Sequence, residues 1–104
     1  MTEIGIVSTG LYIPETYMTG REIAARSGIP VDVVENKMGI LRKPIPGPDD
    51  HTCEMGIKAA KQAIERAGID PKNIDLVIYI GEEHKEYPVW TASIKIQAEI
   101  GAYH

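Results

Sequence analysis

The one cysteine of the chain, Cys53, stands two residues after His51, the arrangement in which a base could activate a thiol. A catalytic thiol needs such a base, a nearby cation or a helix N-terminus to hold it as thiolate. Here Asp49, Asp50 and Glu54 crowd the same stretch, and negative charge acts in the opposite direction. Cys53 therefore reads as a small structural side chain at a helix start. A second candidate is Gly81-Glu82-Glu83-His84, which follows an apolar run. Ligands of open α/β sheets collect at the carboxyl ends of strands, so two carboxylates and an imidazole there could supply a general base. The plainer alternative is a charged loop that solvates the sheet edge. Ser8-Thr9-Gly10 lacks the additional glycines of a phosphate-cradling loop. Lys37, Arg42 and Lys43 could meet an anionic phosphate, or be three solvated charges. One cysteine and three scattered histidines make no four-ligand zinc set, so no metal site is expected.

The elements that must position these residues follow from periodicity and caps. Residues 3–13, EIGIVSTGLYI, are apolar-rich and suit a buried strand with a bend near Thr9-Gly10, and Pro14 ends it. Thr19 stands three residues before Glu22, a capping-box spacing, and predicts a helix over 21–26 ending at Ser27-Gly28. Pro30 opens a second short helix over 31–38, stopped by Gly39. Residues 40–45 could pair as a short strand, and Pro44 to Pro48 then force an extended, exposed loop.

The clearest helix runs over 52–67. Met55, Gly56, Ala59, Ala60, Ala63, Ile64 and Ala67 recur on one face, with Lys58, Lys61, Gln62, Glu65 and Arg66 on the other. So small a stripe predicts close packing on a neighbour. Asp49 and Asp50 complement the dipole at its start; Gly68 and Pro71 stop it. Residues 75–80, DLVIYI, form a continuous apolar run, the pattern of a strand covered on both faces by helices. Pro88 then starts a helix over 89–100, with Ala92, Ile96 and Ile100 on one stripe and Gly101 as its stop.

Composition sets the bounds. The chain has 104 residues, 43% hydrophobic and 25% charged, with a formal charge of −4. These are ordinary globular values and leave room for one compact unit or part of a larger one. No basic cluster suits nucleic acid. The apolar runs are far shorter than the ~20 residues of a membrane span, and Glu3 stands where a signal peptide carries basic residues. The expectation is a soluble, cytoplasmic α/β chain without nucleic-acid or membrane partners. A strand covered on both faces needs several sheet neighbours, and the sequence offers only two such strands. That mismatch marks the opening of a larger domain.

Taken in order, Ile6 to Glu15 (IVSTGLYIPE), Met38 to Ile45 (MGILRKPI), Glu54 to Ile69, Asp75 to Gly81 (DLVIYIG) and Pro88 to Gly101 resemble the N-terminal portion of the thiolase-fold condensing enzymes, closest to the β-ketoacyl-acyl-carrier-protein synthase III type. The resemblance spans nearly the whole chain and implies an incomplete thiolase-like α/β fold, a layered sheet with helices. It also implies an acyltransferase of fatty-acid or polyketide-type synthesis, in which a cysteine takes an acyl group from coenzyme A and malonyl-carrier protein attacks it by decarboxylative Claisen condensation. The family's nucleophilic cysteine, histidine and asparagine fall beyond His104, and Cys53 is not at the nucleophile's position. The 104 residues alone are thus expected to be inactive.

The same resemblance implies acyl-CoA and acyl-carrier protein as partners, a homo-oligomer, and no tightly bound cofactor, coenzyme A thioester being substrate. Alignment on Met38-Gly39-Ile40 puts Val33 and Lys37 where the family places a tryptophan and an arginine near the coenzyme A adenine. The stacking plane is lost, and lysine keeps the charge without the planar fork. Tyr87 and Trp90 fall at the mouth of the acyl pocket. Glu83, in Gly81-Glu82-Glu83, falls where the sister hydroxymethylglutaryl-CoA synthases carry a glutamate general acid/base, which implies a branch using free CoA thioesters. A hydroxymethylglutaryl-CoA synthase-like enzyme is therefore the alternative within the enzyme class. A non-catalytic binding or assembly module is the alternative outside it.

Overall fold

The computed structural model describes residues 3–81 and 91–103. The chain divides into two compact units, Ile13–Asp49 and the pair of stretches Met1–Tyr12 and Asp50–His104.

In the first unit, strands β1 (Thr16–Thr19) and β2 (Arg42–Ile45) pair antiparallel, with Thr16 opposite Ile45 and Thr19 opposite Arg42. Thr19 closes the strand and caps helix α1 (Gly20–Ser27). Its hydroxyl accepts the Glu22 N–H at 3.2 Å, and the Glu22 carboxylate accepts the Thr19 N–H at 2.7 Å. The capping-box spacing therefore forms both of its bonds. The strand ahead of it was not legible, because four residues reading Thr-Tyr-Met-Thr carry no alternation apart from their partner. Gly20 donates to Leu41 O at 2.8 Å. A Cβ there would overlap the Ile40 carbonyl oxygen and lie 2.9 Å from the Glu35 side chain, so the close approach requires glycine. The expected second helix is a π-helix, Val33–Lys37, with Met38 N–H bonded to Val33 O at 2.8 Å. Gly20, Ala24 and Val34 are this unit's buried residues.

In the second unit, α2 (Thr52–Ala67) has the predicted bounds and packs on α3 (Ala92–Ile100). Among the described residues, each of the three α-helices ends on a glycine at positive φ: Gly28 at 73°, Gly68 at 63° and Gly101 at 78°. That is the left-handed cap a β-carbon would penalise. The core consists of Cys53, Ile57, Ala92, Ile96, Ile100 and Ala102, with Ala60, Ile64, Ile74, Val77 and Tyr79 packed against it. Ala92, Ile96 and Ile100 are the predicted stripe of α3. On α2 the buried positions are Cys53 and Ile57, which lie outside the predicted stripe. The stripe's small residues instead admit close neighbours. Gly56 leaves room for Ile96, whose Cδ1 lies 3.3 Å from where a Cβ would be, and Gly10 lies against the backbone of Ala59 and Ala63.

Two expected strands differ from expectation. Residues 3–13 and 74–80 carry no ladder partner among the described residues. Each packs one side on the helices and leaves the other bare. Ser8, Gly10 and Tyr12 are partly buried, whereas Ile4 is 99% exposed. Val77 and Tyr79 face the core, whereas Leu76, Ile78 and Ile80 face outward. The continuous apolar run of 75–80 is thus covered on one side, not two, because α2 and α3 lie on a single side of it.

Candidate functional site

The residues placed near coenzyme A by resemblance sit on the π-helix. Pro30 O accepts the Val33 and Val34 N–H groups at 3.0 and 3.2 Å, which starts the winding. Val34 is fully buried and anchors it. Bonds from i to i+5 widen the turn, so Val33 and Lys37 stand about one turn apart, Val33 half-buried and Lys37 exposed. The Asn36 amide donates to Asp32 at 2.6 Å, and Arg21 lies 4.0 Å from Glu35. These contacts hold the helix while its Lys37 ammonium reaches solvent.

The three cations do not form one patch. Arg42 and Lys43 are consecutive on β2 and point to opposite faces of the hairpin. The Arg42 guanidinium lies 5.1 Å from the Tyr17 ring centroid, on the face lined by Ile13, Pro14, Glu15 and Pro44. Lys43 joins Met18, Ile23, Arg26, Ile40 and Ile45 on the other.

The remaining candidates resolve as structure. Cys53 is fully buried at the α2–α3 contact, its thiol 3.8 Å from Ala92 O. A thiol so enclosed is unreactive toward a thioester. The Ser8 hydroxyl donates to Ala63 O at 2.5 Å, and the Thr9 carbonyl accepts from the Arg66 guanidinium at 3.1 Å. Ser8-Thr9-Gly10 is therefore a docking strip on α2, not a phosphate loop. The Lys95 ammonium donates to Glu54, and this hydrogen bond holds the Glu54 carboxyl below the usual range. Glu83, Tyr87 and Trp90 lie outside the described residues. Among the described residues no three His, Cys, Asp or Glu side chains gather as a metal site, and no helix is long and apolar enough to cross a membrane.

Sequence reasoning missed one polar group. Tyr12 donates to Asp50 at 2.5 Å, Lys58 Nζ lies 3.6 Å from the same carboxylate, and the Lys58 ammonium stands 4.4 Å from the Tyr12 ring centroid. The hydrogen bond to Asp50 raises the Tyr12 phenol above its ordinary 10.0. Desolvation lowers the Lys58 pKa, but Tyr12 and Asp50 outweigh it and the net shift is upward. The available signal was Asp50 and Lys58 on one side of the helix start.

No family model matches the sequence. Among solved structures, the priming β-ketosynthase of a polyketide biosynthetic pathway aligns over 93% of this chain and 29% of its own, with a TM-score of 0.70 and 27% identity. The 3-oxoacyl-(acyl carrier protein) synthase III of Pseudomonas aeruginosa aligns over the same shares with a TM-score of 0.74 and 20% identity. The chain has the fold of the N-terminal part of a thiolase-type condensing enzyme. Curated relatives of this condensing-enzyme stretch include the hydroxymethylglutaryl-CoA synthase of Methanopyrus kandleri, 37% identical over 99 residues. That of Picrophilus torridus is 38% identical over 97 residues. The two alignments take in 95% and 93% of this chain, but only 28% and 27% of the relatives' length. The stretch is therefore related both to synthase III-type condensing enzymes and to hydroxymethylglutaryl-CoA synthases.

Proposed function

We propose that this stretch serves a condensing enzyme that joins acyl thioesters, taking an acyl group from coenzyme A and adding it to malonyl-carrier protein. The supporting observation is the fold, which follows a priming β-ketosynthase over 93% of the chain. In this reaction an enzyme thiolate displaces coenzyme A from the acyl thioester. Loss of CO2 from the malonyl group then supplies the carbanion that attacks the acyl carbonyl, and the thiolate leaves. The stretch supplies positioning groups: Lys37 as a point charge for a coenzyme A phosphate, Val33 beside it, and Tyr87 and Trp90 at the acyl mouth. The enzyme binds no cofactor tightly and works as a homo-oligomer in the cytoplasm.

A second reading is favoured by a specific observation. Relatives at 36–38% identity are hydroxymethylglutaryl-CoA synthases, and Gly81-Glu82-Glu83 offers a glutamate as general acid/base. On that reading both substrates are free CoA thioesters.

Both readings are tested in the full-length protein that carries this stretch. Condensation of acyl-CoA with malonyl-carrier protein supports the first, and formation of hydroxymethylglutaryl-CoA supports the second. Lys37→Ala should raise KM for acyl-CoA about three- to tenfold with kcat kept, as loss of ground-state binding does, and Lys37→Arg should restore it. Glu83→Gln should abolish hydroxymethylglutaryl-CoA formation, and an unchanged rate sinks the second reading. The 104-residue chain, with its one thiol enclosed, should show no acyl transfer, and turnover by it would refute the assignment of Cys53.

A further inference from the structure

The antiparallel register of the hairpin sets Met18 opposite Lys43 and Thr16 opposite Ile45. Side chains two apart on a strand share a face, so Met18, Lys43 and Ile45 lie on one side of the hairpin. Helix α1 carries Ile23, Arg26 and Ser27 at the spacing i, i+3, i+4, which is also one face. With Ile40, just ahead of β2, these two faces line a groove of about 410 Å3, within the ~300–1,000 Å3 of small-molecule sites. Its polarity is divided by depth. Met18, Ile23, Ile40 and Ile45 are half-buried and form the floor, whereas Arg26, Ser27 and Lys43 are exposed at the rim. Among the described residues no acidic side chain lines it, although the chain carries a formal charge of −4. The groove on the other side of the hairpin holds Glu15 as well as Arg42.

The two rim cations are not consumed by the fold. Among the described residues neither Arg26 nor Lys43 forms an ion pair. Glu22, one turn before Arg26, accepts the Thr19 N–H and hydroxyl at 2.7 and 2.9 Å. The end of α1 is closed by the Gly28 N–H on Ala24 O at 3.0 Å, so that cap does not depend on Arg26. We propose that this groove binds a medium-chain aliphatic carboxylate, with its tail on the four floor residues and its head met by Arg26 and Lys43. A guanidinium can hold a carboxylate through two parallel hydrogen bonds, and each methylene fully buried favours binding by up to about fourfold. A small anion gains nothing from the floor, and a neutral amphiphile gains nothing from the rim. The site uses neither Val33 nor Lys37 and does not rest on the condensation reading.

Titration of the intact chain with decanoate below its micelle concentration, followed by amide chemical shifts, tests this. Shifts should gather at Met18, Ile23, Ile40, Lys43 and Ile45 and spare Ile78 and Ile80, which are exposed and apolar in the other unit. Arg26→Gln and Lys43→Gln change exposed positions and keep the floor. Each should weaken binding about two- to fivefold, and the pair by more than either. Octanoate, two methylenes shorter, should bind about three- to tenfold more weakly. Decanol keeps the tail without the charge, so it should bind the parent chain about as weakly as decanoate binds the double variant. Equal binding of decanol and decanoate, no loss in either glutamine variant, shifts centred on Ile78 and Ile80, or no shifts at all would each overturn the proposal. So would capture by anionic lipid vesicles without decanoate shifts, which would make the groove a membrane contact instead.

Discussion

The two units bury side chains by different means. Residues 13–49 enclose little: Gly20, Ala24 and a fully buried Val34. They hold their shape through caps, a short ladder and close backbone contacts. The larger unit builds a real core between α2 and α3, yet it leaves Leu76, Ile78 and Ile80 bare, the last 90% exposed. A module held by local polar bonds can be complete when small. A layer held by apolar faces is complete only when every face is covered. The largest mutational effect should therefore fall in the α2–α3 core. Ile96 is 6% exposed and fills the space Gly56 leaves. Ile96→Ala should cost about 3 kcal/mol, within the range for large-to-small core changes, read as a shift in the denaturant midpoint. A cost below about 1 kcal/mol would mean that the core does not carry the larger unit.

The next effect concerns how the bare extended stretch is tied down. Gly10 meets α2 backbone to backbone: an added Cβ would overlap the Ala59 carbonyl oxygen and lie 2.7 Å from Ala63 N. Neither atom can turn aside as a side chain could. Ser8, Leu11 and Arg66 add bonds on both sides of this contact, Leu11 N–H reaching the Gln62 side chain at 3.0 Å. Gly10→Ala should cost about 2–3 kcal/mol by overpacking, and Gly5→Ala, where a Cβ meets nothing within 4 Å, should cost almost none. Similar losses at the two glycines would refute the backbone contact.

The features legible in the sequence were those whose causes lie within a few residues. The Thr19–Glu22 box, the glycine stops and the bounds of α2 each depend on neighbours in sequence. So does the stripe Ala92, Ile96 and Ile100, since helical spacing alone puts them on one face. Features set by distant partners were legible only in part: β2 lies within the residues 40–45 expected to pair, but its partner did not show. The strand at Thr16–Thr19 exists because Arg42–Ile45 lies beside it. Cys53 and Ile57 are the buried positions of α2 because α3 comes from that side, whereas the alanine stripe marks close approach. The paired direction of Lys37, Arg42 and Lys43 in sequence hid that β2 turns the last two apart. At the candidate site, the order of motifs carried the resemblance, but not which side chains meet.

A smaller effect belongs to the polar module. Thr19→Ala removes the N-cap of α1 and should cost about 1 kcal/mol. The capping bonds from the Thr19 backbone and hydroxyl hold the Glu22 carboxyl below its ordinary 4.5. A depressed carboxylate adds stability that is complete above the unfolded value and lost as pH falls through the folded one. The stability gap between the parent chain and Glu22→Gln should therefore be present at neutral pH and close below about pH 4.5. A gap independent of pH would remove the charge from the cap.

The smallest effect is the most telling for the comparison, because it is set by a bare face. Val77 and Ile78 are adjacent, but Val77 packs on the helices and Ile78 faces outward. On a sheet face whose other side is covered, the two substitutions would cost alike. On the layer seen here, Val77→Ser should lose about 1 kcal/mol or more, as removal of partly buried apolar surface does. Ile78→Ser should stay within about 0.5 kcal/mol, the range of exposed sites. Ile78→Ser should also reduce self-association in light scattering, since an apolar patch left open to water is a site of contact between copies. Equal costs at the two positions would show that both sides of residues 74–80 are buried, and the contrast between the two units would then rest on the polar bonds of residues 13–49 alone.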